Sequence, residues 1–239
     1  MKVCCIGDIH GTNKFLECYE DILKNNNDCE KIIVFGDHFD PYDNIKIEDL
    51  LDRYNKFIQI SKEDNRIVSL LGNHDLAYYI IRTDETNRTS LRDGEKIREV
   101  ILPNLKDSYL CYKIDNYLFS HAGVSTQWME KIHRMYVDDG EPRFDERILN
   151  NYTGWTETEL TNVVSFDDFD FSHCGEHPLQ GCTWIRPSSL YNNAIDGYNQ
   201  IVAHTRTSDD EIKSLRLPNG NKLWLIDTGG KSNYLTLNI

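Results

Sequence analysis

An α/β fold with mixed parallel and antiparallel strands is predicted for this 239-residue chain by three observations. The first third alternates short apolar runs with segments of helical spacing. The second half carries paired β-like runs with turn residues between them. The apolar runs end in clusters of Asp, His and Asn. Continuous apolar runs with abrupt polar ends are how fully buried strands read. At 39% hydrophobic residues the chain can bury a sizeable core, and we read 1–239 as one domain.

Val3 to Gly7, Ile32 to Phe35 and Ile67 to Leu71 are the first three predicted strands. Between them, Phe15, Leu16, Tyr19, Ile22 and Leu23 form one apolar helical face, and Leu50, Leu51, Tyr54, Phe57 and Ile58 another. Strand, helix, strand, helix, strand makes two successive βαβ units and a parallel sheet. Thr83 to Glu99 reads as a mobile polar loop entering a short helix. Tyr109 to Ile114 and Tyr117 to Ser120 flank Asp115-Asn116 as a hairpin. Gln200 to Ala203, Lys222 to Ile226 and Tyr234 to Ile239 are the last β-like runs, with Pro218-Asn219-Gly220 as a turn before the second. The polar stretch at about 125–181, rich in Asp, Glu and His, is expected to be a cap-like insertion over the strand ends.

The formal net charge of −13 opposes sustained contact with a nucleic-acid backbone, which is built from clustered Lys and Arg. A small anionic substrate held by metal ions stays compatible with it. No apolar run has the length of a membrane span, and Val3-Cys4-Cys5-Ile6 is too short for a signal-peptide core, so a soluble, cytoplasmic protein is expected. Seven cysteines without a CxxC pair point to buried thiols rather than a disulfide framework. Nothing in the sequence fixes the oligomeric state.

The three early strands end in Gly7-Asp8-Ile9-His10-Gly11, Gly36-Asp37-His38-Phe39-Asp40 and Gly72-Asn73-His74-Asp75. Ligands of open α/β sheets bind outside the carboxyl ends of the strands, so these clusters converge. Ser120-His121-Ala122-Gly123 and Val202-Ala203-His204-Thr205 repeat the pattern. Asp8, His10, Asp37, Asn73, His121 and His204 supply two carboxylates, three imidazoles and one amide, enough for two divalent ions if one carboxylate bridges them. Oxygen and nitrogen donors without thiolate suit Mn, Fe, Zn, Ni or Co. Two such ions, roughly 3.5–4 Å apart, clamp the attacking and departing oxygens of a phosphoryl displacement and generate hydroxide near neutral pH. The chemistry implied is hydrolysis of a phosphate ester.

GDIHG, GDHFD, GNHD, SHAG and VAHT, in this order, resemble the calcineurin-like metallophosphoesterase superfamily. Thr183-Trp184-Ile185-Arg186-Pro187 and Ile226-Asp227-Thr228-Gly229 further resemble its phosphoprotein-phosphatase branch, of the bacterial and phage serine/threonine phosphatase or diadenosine tetraphosphatase type. The resemblance implies a two-sheet αββα sandwich. It also implies that Asp8 and His10 hold one metal, that Asp37 bridges, and that Asn73, His121 and His204 hold the second, manganese being the leading candidate. His74 would protonate the leaving group, with Asp40 orienting it; Arg186, with Asn73, would contact the phosphoryl group. Attack by metal-bound hydroxide on a phosphate monoester follows from this. The substrate would be a phosphoprotein first, or a phosphorylated small molecule or nucleotide. A dinucleoside polyphosphate hydrolase or phosphodiesterase, and a non-catalytic interaction module, are the alternatives. The departure is Pro41, standing where the GDxxDRG motif carries a phosphate-gripping arginine. A proline there biases Asp40 toward extended backbone.

Other ligand-type residues carry blander readings. His133 belongs on a polar helix, and His38 would point away from Asp37 in an extended chain. His173 to His177 matches HxxEH, but Gly175 and Pro178 oppose the helix that motif requires. Gly229-Gly230-Lys231-Ser232 lacks the earlier glycine of a P-loop. Asp167, Asp168 and Asp170 lack the later residues of a calcium loop, and Cys4 and Cys5 read as small core side chains.

Overall fold

A computed structural model describes residues 1–79, 93–136, 149–150 and 176–239. The first sheet holds β1 (Lys2–Ile6), β2 (Lys31–Val34), β3 (Ile67–Leu70), the short β4 (Ser108–Tyr109) and β10 (Leu235–Asn238), in the order β10-β1-β2-β3-β4. The second holds β5 (Cys111–Ile114), β6 (Tyr117–Ser120), β7 (Asn199–Val202), β8 (Lys213–Arg216) and β9 (Lys222–Leu225), in the order β5-β6-β7-β9-β8. Each sheet is mixed. β1 to β4 run parallel and β10 joins β1 antiparallel; β6, β7 and β9 run parallel between antiparallel edges β5 and β8.

Among the described residues the α-helices are α1 (Lys14–Asn25), α2 (Ile47–Glu63), α3 (Asn73–Tyr79), α4 (Gly94–Ile101), α5 (Thr126–Tyr136) and α6 (Pro187–Asn193). Period-two alternation sorts each central strand between layers. Val3, Cys5, Ile33, Phe35, Val68 and Leu70 face Phe119, Ile201, Ala203 and Ile226 in the core between the sheets. Cys4, Ile6, Ile32 and Val34 face outward, where Phe15 and Ile22 of α1 and Leu50, Tyr54 and Phe57 of α2 cover them. Leu190 of α6 packs with Val202 and Leu223 on the far side of the second sheet. The layers are therefore αββα, as the resemblance implied.

Several expectations change in detail. The run Tyr109 to Ile114 is two strands: Tyr109 pairs with β3 in the first sheet, whereas Cys111 begins the second. The buried Leu110 is the crossing point. Its N–H and that of Cys111 donate to Asn150 Oδ1 at 3.0 and 3.2 Å, and Asn150 Nδ2 donates to the Cys111 carbonyl at 2.7 Å. The second sheet is parallel at its centre because β6 and β7 are separated by a crossover long enough to permit it. β8 carries no apolar pattern and was not anticipated; three of its four residues are exposed. Leu23, assigned to the apolar face of α1, is 43% exposed.

Of the stretch expected to form a cap, α5 buries Trp128, Met129 and Ile132 in the main core. Residues 137–148 and 151–175, including Asp167, Asp168, Asp170 and His173, lie outside the described residues, as do 80–92 of the loop expected at Thr83 to Glu99. No helix among the described residues is long and apolar enough to cross a membrane.

Candidate metal centre

The predicted ligands leave their strands at one rim of the two facing sheets. Asp8 and His10 follow β1, Asp37 follows β2, Asn73 opens α3 after β3, His121 follows β6 and His204 follows β7. All are buried except His204, which is partly so. His10, Asp37, Asp40 and His204 have positive φ, from 44 to 61°. Backbone strain of this kind persists where surrounding contacts over-determine it. Here those contacts are visible: the N–H groups of His10 and Gly11 bond to Asp37 and His38 carbonyls, and the His204 N–H donates to Asp8 Oδ1 at 3.2 Å.

Asp37 is the hub. Its Oδ1 accepts the His74 N–H at 2.9 Å. Its Oδ2 lies 3.7 Å from His10 Nε2 and 3.3 Å from His121 Nε2. Ligand atoms of His10, Asp37 and His74 lie within 4.8 Å of one another, and so do those of Asp37, His121 and His204. Asp8 Oδ2 is 3.9 Å from His10 Nε2. Asn73 Oδ1 sits 3.0 Å from His121 Nε2 and 2.9 Å from His204 Nδ1.

The donor set fits metal ions on its own chemistry. His10 Nδ1 donates to the carbonyls of Phe39 and Asp40, both at 3.1 Å, and His121 Nδ1 to that of Phe35 at 2.7 Å. Each ring thus turns Nε2 toward the carboxylates, the tautomer a metal-binding imidazole uses. Donors 2.0–2.2 Å from one ion stand about 3–3.5 Å from each other, close to the separations around Asp37 Oδ2. His204 Nε2 is buried with no hydrogen-bond partner among the described residues.

Electrostatics point the same way. Burial, and then neighbouring Asp227, push Asp8 well above the usual carboxylate range. Burial would raise Asp37 too, but His121, His74 and His10 hold it well below that range. Burial would depress His121, which Asp37 and Asp8 instead lift to about 10. His204 is driven far down by burial, His121 and Arg186. Asp37 and Asp8 thus favour a proton on the buried His121 imidazole, a role divalent ions would take over.

Beside this cluster, His74 Nδ1 lies 2.7 Å from Asp40 Oδ2, and the Tyr78 hydroxyl donates to Asp40 Oδ1. Asp40 has φ +57°, so the extended backbone expected before Pro41 is not adopted. Its two carboxylate contacts, with the His10 bond to its carbonyl, outweigh the pre-proline bias. Arg186 caps α6 and donates to Thr205 Oγ1 at 3.0 Å, with its guanidinium 5.9 Å from the centre of the Trp184 ring. That places it next to His204, whose carbonyl its Nη1 reaches at 3.5 Å. His38 does turn away from Asp37, although through left-handed backbone at Asp37 rather than an extended chain. It packs on Phe57 and Tyr54, with ring centres 4.2 and 5.3 Å away, and burial drops it to about 3.

Sequence reasoning missed three supporting residues. Asp75 is fully buried and accepts N–H bonds from Asp37, His38 and Gly72 at 2.8, 2.9 and 3.0 Å. Tyr78 stands one helical turn after His74, a spacing that could have revealed it. Arg206 follows His204 by two residues and lines two cavities next to the cluster.

The family model for calcineurin-like phosphoesterases matches residues 1–205. None of the curated proteins compared matches this chain. Among solved structures, the cold-active protein-tyrosine phosphatase of a psychrophilic Shewanella is similar at TM-score 0.57 and 16% identity, over 99% of this chain and 75% of that one. A metallophosphoesterase from Sphaerobacter thermophilus gives TM-score 0.48 and 15% identity, over 100% and 84%. With its fold, its clustered donors and a family match over most of its length, the chain belongs to the calcineurin-like phosphoesterase family and is a metal-dependent phosphoester hydrolase.

Proposed function

We propose that residues 1–239 form a single-domain, dinuclear-metal phosphatase that hydrolyses phosphate monoesters in the manner of serine/threonine protein phosphatases. The observation that carries this reading is Asp37 Oδ2, which faces His10 on one side and His121 on the other. Asp8, His10 and Asp37 would hold one ion; Asp37, Asn73, His121 and His204 would hold the other. Manganese suits this mixed oxygen and imidazole set. When bound, the ions supply Lewis acidity toward the phosphoryl oxygens and lower the pKa of water enough for it to attack near neutral pH.

The chain's own residues do the rest. Asp40 engages His74 Nδ1, leaving Nε2 as the nitrogen that delivers a proton to the leaving-group oxygen. Arg186 and Asn73 steady the phosphoryl oxygens. Pro41 offers no guanidinium, and a site with one fewer cation discriminates less against the single charge of a diester. Among the described residues no disulfide joins the buried cysteines, which supports a reducing, cytoplasmic setting.

Initial rates with para-nitrophenyl phosphate, its bis ester and diadenosine tetraphosphate, each with Mn²⁺, test the assignment alongside metal content per chain. Two ions and preference for the monoester are expected. Preference for the bis ester would make the protein a phosphodiesterase, and no hydrolysis with any metal would leave an interaction module.

A further inference from the structure

Arg206 occupies a position that the proposed machinery does not use. It lines two cavities, one of which includes His10 of the metal centre. One, of about 250 Å³, includes His10, Thr12, Tyr42, Asp43, Gly229 and Gly230; the other, of about 500 Å³, includes Arg186, Thr205 and Lys213. Three cationic side chains meet at the larger cavity, Lys213 paired with Asp209 at 3.0 Å and Arg206 with Asp210, and Glu176 stands among its lining residues.

The guanidinium is held in place. Nε and Nη2 donate to the two carboxylate oxygens of Asp210 at 2.6 and 2.9 Å. The guanidinium lies over Gly229, whose φ of +61° favours glycine and where a β-carbon would fall 2.6 Å from Nε. The turn beneath is fixed by the Thr207 N–H donating to the Asp227 carbonyl at 3.0 Å and the Asp210 N–H to that of Thr207 at 3.2 Å. Yet the Arg206 side chain is 54% exposed, and an ion pair so open to water contributes little. A bidentate fork parked on a carboxylate is already shaped for a phosphoryl or carboxylate group of a ligand.

The smaller cavity includes His10, whose ring neighbours the proposed proton donor His74. The His10 ring is 4.6 Å from that of Tyr42 and 5.2 Å from that of His74, measured between centres, and His74 is the proposed proton donor to the departing oxygen. We propose that Arg206 is a specificity-determining residue that exchanges Asp210 for an anionic group carried by the leaving portion of the substrate. It supplies from the segment after β7 a guanidinium that Pro41 lacks, but aimed at the departing portion rather than the scissile phosphate. The protein therefore selects phosphoesters whose leaving group bears its own phosphate or carboxylate. This rests on the reading of His74 given above.

Calorimetric binding of methylenediphosphonate and methylphosphonate to the metal-loaded protein tests it without turnover. The parent is expected to favour the diphosphonate, and Arg206→Ala to cut its affinity about tenfold while changing methylphosphonate less than about twofold. Arg206→Lys should fall between, and Asp210→Asn, which removes the competing charge, should tighten the diphosphonate. Equal losses for both ligands, an unchanged ratio in Arg206→Ala, or weaker diphosphonate binding in Asp210→Asn would overturn the proposal. Failure of the wider reading shows separately, as a parent protein that binds the diphosphonate through Arg206 yet never hydrolyses para-nitrophenyl phosphate.

Discussion

His74 and Tyr78, one turn apart on α3, hold the same carboxylate: His74 Nδ1 lies 2.7 Å from Asp40 Oδ2 and the Tyr78 hydroxyl donates to Oδ1. Asp40 is thereby fixed from both oxygens and cannot swing away from the imidazole. A proton donor so oriented matters most when the leaving group is a poor one. His74→Asn is expected to lower kcat about 100-fold for an alkyl phosphate and far less for para-nitrophenyl phosphate. Tyr78→Phe should give a smaller loss with the same leaving-group dependence. Rates across a series of leaving groups measure this, and a uniform loss would remove His74 as the acid.

Gly72 makes room for the Asp37 carboxylate. A β-carbon there would stand 2.0 Å from Asp37 Oδ1 and 2.6 Å from its backbone nitrogen. Gly72→Ala is expected to reduce metal content below two ions per chain and to destabilise the fold by more than about 2 kcal/mol. Metal analysis and a urea titration would report both; full loading at parental stability would contradict the geometry.

Asp75 gathers three backbone N–H groups on two oxygens, tying the Asp37 turn to the Gly72 turn. Asp75→Asn keeps one acceptor oxygen and introduces an NH₂ facing those donors. A cost of about 1–3 kcal/mol follows from the amides left unpaired. The urea midpoint should fall accordingly, and Asp75→Ala should fall further.

Asp64, at the end of α2, binds Arg66 through Nε at 2.9 Å and Nη2 at 2.6 Å, and Arg66 also reaches the Cys29 carbonyl at 3.3 Å. Hydrogen bonding from Arg66 holds the Asp64 carboxyl down at about 2. A carboxylate depressed in the folded state stabilises above its unfolded value, near 3.9, and loses that contribution as pH falls toward 2. Asp64→Asn should therefore cost about 1–2 kcal/mol at pH 7, with the gap to the parent closing below pH 4. Urea midpoints from pH 7 to pH 3 check it, and a gap independent of pH would show that packing, not charge, is at stake.

Most of the centre was legible because each donor follows a strand end, where apolar text gives way abruptly to Gly, Asp, Asn or His. Asp8, His10, Asp37, Asn73, His121 and His204 do meet at one rim. Strand pairing was less legible. β8 escaped notice because an exposed edge strand needs no apolar alternation, and the split at Leu110 is invisible because both sheets ask for the same residue types. Asp75 stayed hidden because its work is done on backbone amides, which carry no sequence signature. Arg206 was overlooked because its significance depends on Gly229, far away in the chain.

The passage through Leu110 has a mechanical consequence. One residue separates a strand of the first layer from a strand of the second, while Asp8, Asp37 and Asn73 come from the first layer and His121 and His204 from the second. The ions would act as rivets through both plates. Any opening that parted the plates would release them, so chelation and unfolding should be felt as a single cooperative event.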